Sequence, residues 1–311
     1  MYPPGAEHAQ ALRRAAPRAS IEAAADEPAA RTLMAEADAV LGNRWFRQSL
    51  PAARRLRWMQ SNSMGMDLVL GANDALGEVV VTCARGVYDE EVAEHAVALA
   101  LALGRGLHLA RDGQRRRQWP RRHLITLAGG RAMVLGYGGV GRATARRLAS
   151  LGMSVRGVRR RHAGTPAPGG DGVVLHGPDS WREQLPATDL LVLALPLTRA
   201  TEGIVGAAEL EALPRGALVV NVGRGGTLDE QALLGELRRG RLGGAALDVV
   251  AEEPPAAGSA LWTEPGLLLT PHVARSPERP PYRWEPLFVE NLRRFSAGEP
   301  LLNVVDREAG Y

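Results

Sequence analysis

A chain of 311 residues, 45% hydrophobic and 23% charged, has the make-up of a folded protein with room for two domains, and no run in it reaches the roughly 20 apolar residues needed to cross a bilayer. All 38 basic residues are arginine and 34 acidic residues nearly balance them, so the pI of about 9.8 reads as the bias of a GC-rich genome rather than a nucleic-acid footprint. Met1-Tyr2-Pro3-Pro4-Gly5 lacks the basic start and apolar core of a secretory signal, and the single Cys83 has no internal disulfide partner, so a cytoplasmic protein is expected.

Taken in chain order, the pattern alternates helices and strands, which implies parallel sheets covered by helices. Helical stretches are expected at His8 to Ala16 and Pro28 to Ala37, and strands at Ala39 to Leu41 and Leu56 to Gln60. An α/β unit ordinarily begins with a strand, so either an edge strand is missing or Met1 is not the natural start. Glu90 to Arg111 reads as one long helix, apolar from Val92 through Leu109 over about six turns, and must be buried against a domain or a partner subunit. Arg111, Arg115, Arg116, Arg117, Arg121 and Arg122 crowd around Trp119 and Pro120. That segment reads as a solvated loop or helix end, with a subunit contact or polyanion site as the alternative. A second α/β region runs from Arg131 to near Thr270, and a last helix, Pro280 to Ala297, returns to the first domain. The expected division is 1–90 and 275–311 for a discontinuous first domain and 91–274 for the second.

The strongest local signal runs from Arg131 to Arg161. An apolar strand leads into Gly136-Tyr137-Gly138-Gly139-Val140-Gly141, a helix with Ala145, Leu148 and Leu151 on one face follows, and Ser154 to Val158 forms the next strand. In such a unit the first glycine makes the tight turn, the second lets the backbone approach a pyrophosphate, and the third lets helix and strand pack closely. The phosphates then sit at the helix N-terminus, where free N–H groups and the helix dipole favour negative charge. The pattern is weak alone in a chain with 36 glycines, but strand, turn, helix and strand in register point to a dinucleotide site.

Where an NAD-specific site carries an acid for the ribose 2′-hydroxyl, this chain has Arg159-Arg160-Arg161. Guanidinium groups pair with phosphate in a forked geometry, so NADP(H) is expected, with NAD possible; the plainer alternative is a solvated arginine turn.

Chemistry comes from three later strand ends. Leu218 to Gly226 ends in the glycine-flanked Arg224, Leu247 to Pro254 ends in acids including Glu253, and Leu268 to Ala274 carries His272. In a parallel sheet, ligands bind at the carboxyl ends of strands, so the three can meet a nicotinamide there. Arg224 would hold a 2-keto acid by its carboxylate, and His272 would protonate the alkoxide formed on hydride transfer. Glu253 beside it would favour the imidazolium. Taken singly, each residue has a bland reading: a strand-end charge, a surface acid and a turn histidine.

These residues stand in a series that resembles the D-isomer-specific 2-hydroxyacid dehydrogenases over nearly the whole chain. The series is Ser63-Met64-Gly65-Met66-Asp67, Val92-Ala93-Glu94-His95, the glycine turn, Leu195-Pro196-Leu197-Thr198 with Thr201, Asn221-Val222-Gly223-Arg224-Gly225, Leu247-Asp248-Val249, Glu253-Pro254 and Thr270-Pro271-His272. The resemblance implies two Rossmann-like or flavodoxin-like α/β domains with parallel sheets. It gives the catalytic roles above to Arg224, Glu253 and His272. Asp248 is implied at the nicotinamide amide, and Leu195, Pro196, Thr198, Thr201 and Val222 along the cofactor. Backbone amides near Met64 and Gly65 are implied to receive the substrate carboxylate. No metal is implied. Members are usually homodimers, with the helix after Val92 crossing between subunits. The arginine turn and the closing Val304-Val305-Asp306-Arg307-Glu308-Ala309-Gly310-Tyr311 look like the NADPH-dependent glyoxylate/hydroxypyruvate reductases. Departures are the absent first strand and Arg275-Ser276 after the histidine, where the family carries small residues and a threonine. Arg275 would either add positive charge at the cleft or be a loop arginine; Trp45, Tyr282 and Trp284 are pocket candidates whose default reading is packing. The alternative for the whole chain is a catalytically idle dinucleotide sensor that binds a protein partner.

Overall fold

The computed structural model describes residues 4–71, 73–160, 167–168, 173–275 and 281–311. The chain separates into two compact units, one of residues 1–88 with 277–311 and the other of residues 89–276. In chain order the first unit contributes α1 (Ala6–Ala15), α2 (Glu27–Met34), β1 (Ala39–Leu41), α3 (Phe46–Ser49), β2 (Trp58–Gln60), α4 (Asp67–Leu70), α5 (Asn73–Leu76) and β3 (Val80–Thr82). The second holds α6 (Asp89–Gly104), α7 (Leu107–Arg115), β4 (Arg131–Leu135), α8 (Gly139–Ser150), β5 (Ser154–Val158), β6 (Ala167–Pro168), β7 (Val174–His176), β8 (Leu190–Leu193), α9 (Ala207–Ala212), β9 (Leu218–Asn221), α10 (Glu230–Arg238), β10 (Gly244–Leu247) and β11 (Leu267–Leu269). The chain then returns to the first unit with α11 (Glu285–Ala297).

The first unit's sheet has the order β1-β2-β3, all parallel, so β1 lies at one edge. The other edge is covered by the chain's last residues: Val304 bridges Thr82 in antiparallel fashion, Val305 N donates to Val81 O at 2.9 Å and Cys83 N to Asn303 O at 3.1 Å. Covering an edge in this way removes a row of unpaired donors and acceptors from solvent. The N-terminal half and α11 are held together by a fully buried polar network. Trp58 Nε1 donates to Thr82 Oγ1 (2.9 Å), which donates to Gln60 Oε1 (2.8 Å), and Asn291 Nδ2 on α11 donates to that same oxygen (2.7 Å). Asn291 also exchanges both of its amide bonds with the backbone of Leu302. Trp58, Gln60, Thr82 and Asn291 are all 0% exposed, so every one of these groups needs its partner.

The second unit carries an eight-stranded sheet in the order β11-β10-β9-β8-β4-β5-β7-β6, parallel throughout except for β6 against β7. β8, β9 and β10 are buried at every residue and, apart from Asn221 at the end of β9, read as apolar runs, as expected of strands with both faces covered. From β4 the chain first builds outward through β5, then crosses back to β8 on the other side, which leaves a switch point at the carboxyl ends of β4 and β8.

The helix read over Glu90 to Arg111 is two helices, because Gly104 and Gly106 interrupt it. Gly106 takes φ +59, a left-handed helix stop, and the Gly104 carbonyl accepts from Ile125 N at 2.8 Å, with the Ile125 backbone too near Gly104 for a larger side chain to fit comfortably. The apolar face of α6, including Val92, Ala96, Leu99 and Leu103, packs on α8, β9 and β10 inside its own unit, which accounts for its burial without a second chain. Arg115 to Arg122 is solvent-exposed, and Trp119 is 96% exposed. Trp284 is buried, stacked on Tyr282 at 4.8 Å and against Phe288 at 4.3 Å, so it is a packing residue; Arg44 stacks on Trp45 at 4.2 Å.

Asn291→Leu is expected to lower the free energy of urea unfolding by roughly 2–3 kcal/mol, since it leaves the Leu302 backbone groups unpaired and one network donor lost. A loss below about 1 kcal/mol would show that water replaces the network at little cost.

Candidate active site

The glycine turn lies at the carboxyl end of β4, at the switch point. Gly136 has φ +94, and a Cβ on Gly141 would collide with the Gly136 carbonyl, so strand and helix meet as closely as backbone allows. Gly138 is the N-cap of α8, exposed and with open space around it, so a phosphate can approach the backbone closely at the helix N-terminus. That cradle fits a dinucleotide pyrophosphate. The Asp89 carboxylate, at the start of α6, occupies the space a side chain on Gly139 would need, a contact no sequence pattern announced. Val140 lies in the first turn of α8, and the buried Tyr137 ring lies on Gly157 of β5.

The end of β5 is joined to this turn, because the Val158 carbonyl accepts from Gly136 N (3.2 Å) and Tyr137 N (2.8 Å). Arg159 and Arg160 follow directly and are exposed, with Arg159 N donating to His176 O at 3.0 Å. Arg161 lies outside the described residues.

Across the switch point, the loop after β8 carries Leu195 and Pro196, both half-buried. Thr201 Oγ1 donates to Pro196 O at 2.6 Å and accepts from Thr198 N at 2.9 Å, so the two threonines shape their own loop. Val222 N continues the strand pairing to Leu193 O at 3.0 Å. Arg224 then caps a 3-10 turn, Gly225–Thr227. Its carbonyl accepts from Asn221 Nδ2 (3.1 Å) and Thr227 Oγ1 (2.6 Å), and its Nη1 donates to Gly223 O at 2.7 Å. A Cβ on Gly225 would collide with the Val250 carbonyl, so the loops after β9 and β10 interlock at a position only glycine fits. Asn221, fully buried, also accepts from Gly223 N at 3.0 Å; its role as the clamp of this turn was not read from the sequence.

Glu253 and His272 do meet. Nδ1 of His272 lies 2.7 Å from Glu253 Oε2, and Glu253 Oε1 accepts from Val250 N at 3.2 Å. The side chains of His272 and Glu253 are 48% and 38% exposed, so the pair adds little to stability, and its consequence is orientation: Nδ1 is engaged by Glu253, which leaves Nε2 as the ring nitrogen not held by that carboxylate. His272 itself adopts φ +51, a strained conformation for a residue with a Cβ.

Asp248, just past β10, is what holds that strained turn. Three successive amides end on it: His272 N on its carbonyl (2.8 Å), Val273 N on Oδ1 (2.9 Å) and Ala274 N on Oδ2 (2.9 Å). Thr270 Oγ1 donates to Oδ1 at 2.6 Å, and His95 Nε2 from α6 lies 3.0 Å from Thr270 Oγ1. Asp248 is 2% exposed. Burial works against its ionised form, but the hydrogen bonds from His95, Thr270, Val273 and Ala274 outweigh it and hold the carboxyl at about 2. Met64 and Gly65 belong to the first unit, in the loop after β2. That loop is tied by Asn43 Nδ2 to Ser63 Oγ (3.0 Å) and Ala84 N to Ser63 O (2.9 Å).

The geometry therefore defines a dinucleotide-binding sheet with an arginine, a carboxylate–histidine pair and a buried aspartate at its ligand-binding edge. Residues 97–274 match the NAD binding domain of the D-isomer specific 2-hydroxyacid dehydrogenases, and the chain belongs to that family. It is 34% identical over 252 residues, 78% of this chain and 76% of the relative, to glycerate dehydrogenase of Methylorubrum extorquens. Among solved structures it resembles a D-isomer specific 2-hydroxyacid dehydrogenase from Xanthobacter autotrophicus Py2 in complex with NADPH and MES. That match has a TM-score of 0.82 and 33% identity, covering 99% of this chain and 96% of that one. It also resembles the NADPH-dependent glyoxylate/hydroxypyruvate reductase of Sinorhizobium meliloti in complex with NADP and sulfate, with a TM-score of 0.80 and 29% identity over 98% and 96% of the two chains. Among the described residues no helix is long and apolar enough to cross a membrane and no cluster of side chains suits a metal ion.

The Asp248 carboxyl is depressed when folded, so its contribution is complete above an ordinary carboxyl value near 3.8 and is lost as pH falls toward about 2. The contribution is about 2 kcal/mol. The unfolding free-energy gap between wild type and Asp248→Asn, measured in urea, is expected to be widest near neutral pH and to narrow below about pH 4. A gap independent of pH would show that the carboxylate charge does not hold the turn.

Proposed function

We propose that the chain is an NADPH-dependent reductase of small 2-keto acids of the glyoxylate and hydroxypyruvate kind, yielding D-2-hydroxy acids. The observation that carries the reading is the His272–Glu253 pair at the ligand edge of a dinucleotide-binding sheet. In this reading residues 89–276 bind the dinucleotide. The named relatives that bind NADPH or NADP support the cofactor.

The N-terminus of α8 and Gly138 receive the pyrophosphate, and Arg159 and Arg160 pair with the 2′-phosphate. Bound NADPH supplies the hydride. Arg224 holds the substrate carboxylate by a forked pair, which orients the carbonyl carbon. His272, with Nδ1 held by Glu253, donates a proton from Nε2 to the alkoxide oxygen as charge develops there, and in the oxidative direction takes it back. The same reading includes a homodimer, and the exposed Trp119 and Leu107 offer it uncovered apolar surface.

Consumption of NADPH with glyoxylate, hydroxypyruvate and bulkier 2-keto acids tests the assignment. Wild type is expected to reduce at least the small acids, and His272→Asn to lower kcat by about 10²- to 10⁴-fold, the span of a general acid. Failure of wild type on every acid, or a His272→Asn enzyme as fast as wild type, leaves the idle sensor as the better reading.

Arg159→Ala is expected to weaken NADPH roughly 10-fold while leaving NADH unchanged, read by fluorescence titration with both nucleotides. Equal loss for the two would mean that the arginine does not touch a 2′-phosphate.

A further inference from the structure

Thr270 and His95 carry a chain of hydrogen bonds whose direction can be assigned. Asp248 is ionised and only accepts, so the 2.6 Å contact has Thr270 donating its single hydroxyl proton to Oδ1. The hydroxyl then has only lone pairs left for His95, and the 3.0 Å contact requires the proton to be on His95 Nε2. The sequence of donors is therefore His95 Nε2–H to Thr270 Oγ1–H to Asp248 Oδ1, with His95 Nε2 also 3.3 Å from Oδ1 itself. It links α6, the end of β11 and the end of β10, all within the second unit.

The far end of the relay is the turn bearing His272. The Asp248 carboxylate receives Val273 N and Ala274 N, its carbonyl receives His272 N, and Thr270 O receives His272 N as well at 3.0 Å. A non-glycine residue at φ +51 persists only where its surroundings over-determine it. Rotation of the Asp248 side chain would release two of those amides together. Thr270 and His95 fix that rotation, because both reach the same oxygen, Oδ1, at 2.6 and 3.3 Å.

We propose that His95 and Thr270 are positioning residues: through Asp248 they set the conformation of the 270–274 turn and hence the aim of His272 Nε2. Neither is required to touch the substrate or the cofactor in this role. The catalytic consequence rests on the reductase reading above, whereas the conformational consequence does not, so the two are separable in one set of variants.

Thr270→Val removes the hydroxyl at nearly constant volume, and Thr270→Ser keeps it; His95→Leu removes the N–H donor, and His95→Gln keeps one at a similar reach. The first readout is hydrogen exchange of the amides of Val273 and Ala274, followed by NMR in the intact chain. Exchange is expected to quicken at least about 10-fold in Thr270→Val and His95→Leu, and to stay near wild type in Thr270→Ser and His95→Gln, since breaking one charge-assisted hydrogen bond shifts an opening equilibrium by that order. The second readout is kinetic: kcat with glyoxylate and NADPH falls about 10-fold or more in the two deleting variants and recovers in the two conservative ones. The nucleotide Kd, titrated without substrate and with adenosine 2′,5′-bisphosphate, which lacks the nicotinamide expected at Asp248, stays within about twofold throughout, because the glycine turn is untouched. Equal exchange in Thr270→Val and Thr270→Ser, whether both fast or both slow, overturns the inference, as does a drop in kcat matched by a drop in nucleotide affinity. If wild type reduces no 2-keto acid, the reductase reading fails while the exchange rates still decide the positioning role. Should Thr270→Val not fold, the His95 pair makes the same comparison.

Discussion

The capture of three consecutive amides by Asp248 is the interaction on which the ligand edge of the second unit depends. A buried carboxylate is unfavourable by itself, and this one is tolerated because hydroxyl, imidazole and backbone donors converge on it. The converse also holds: with the carboxylate in place, a histidine can sit at a positive φ that would otherwise relax. Strain at His272 and burial at Asp248 are thus two sides of one arrangement, and neither would persist alone.

The same edge is assembled from loops that brace one another. Gly225 admits the backbone of Val250 and Gly136 admits that of Ala194, so the loops after β4, β8, β9 and β10 lock together through main-chain contact. Side chains are then carried by rigid turns. Arg224 is fixed by hydrogen bonds to its own carbonyl from Asn221 and Thr227, and His272 is turned by Glu253 so that only one ring nitrogen is free of it. Aim is supplied by backbone geometry, and chemistry by a few side chains.

Much of this was legible in the chain itself. The glycine spacing, the apolar strands flanking it, and Arg224, Glu253 and His272 at the ends of successive strands follow from local periodicity and turn chemistry, which depend on near neighbours. The structure brings Glu253 and His272 into contact although 19 residues separate them, and the strand-end reading anticipated it because parallel strands deliver their carboxyl ends to one edge. What escaped was of another kind. The break at Gly104 and Gly106 was hidden because apolar spacing runs on across it, and only the approach of Ile125 makes the stop necessary. His95 and Thr270 were read as marks of family likeness. Their hydrogen-bonded contact spans 175 residues of sequence and has no local signature.

The sequence by itself determined the parallel α/β architecture, the dinucleotide turn and the residue types available for acid–base and carboxylate chemistry, because pattern and propensity act over a few residues. Tertiary structure alone decided which polar side chains become buried together, and so which ones Asp248 and Asn291 must satisfy. That choice rests on desolvation: a polar group excluded from water is held to whatever donor or acceptor the fold brings within reach, and such partners come from distant parts of the chain.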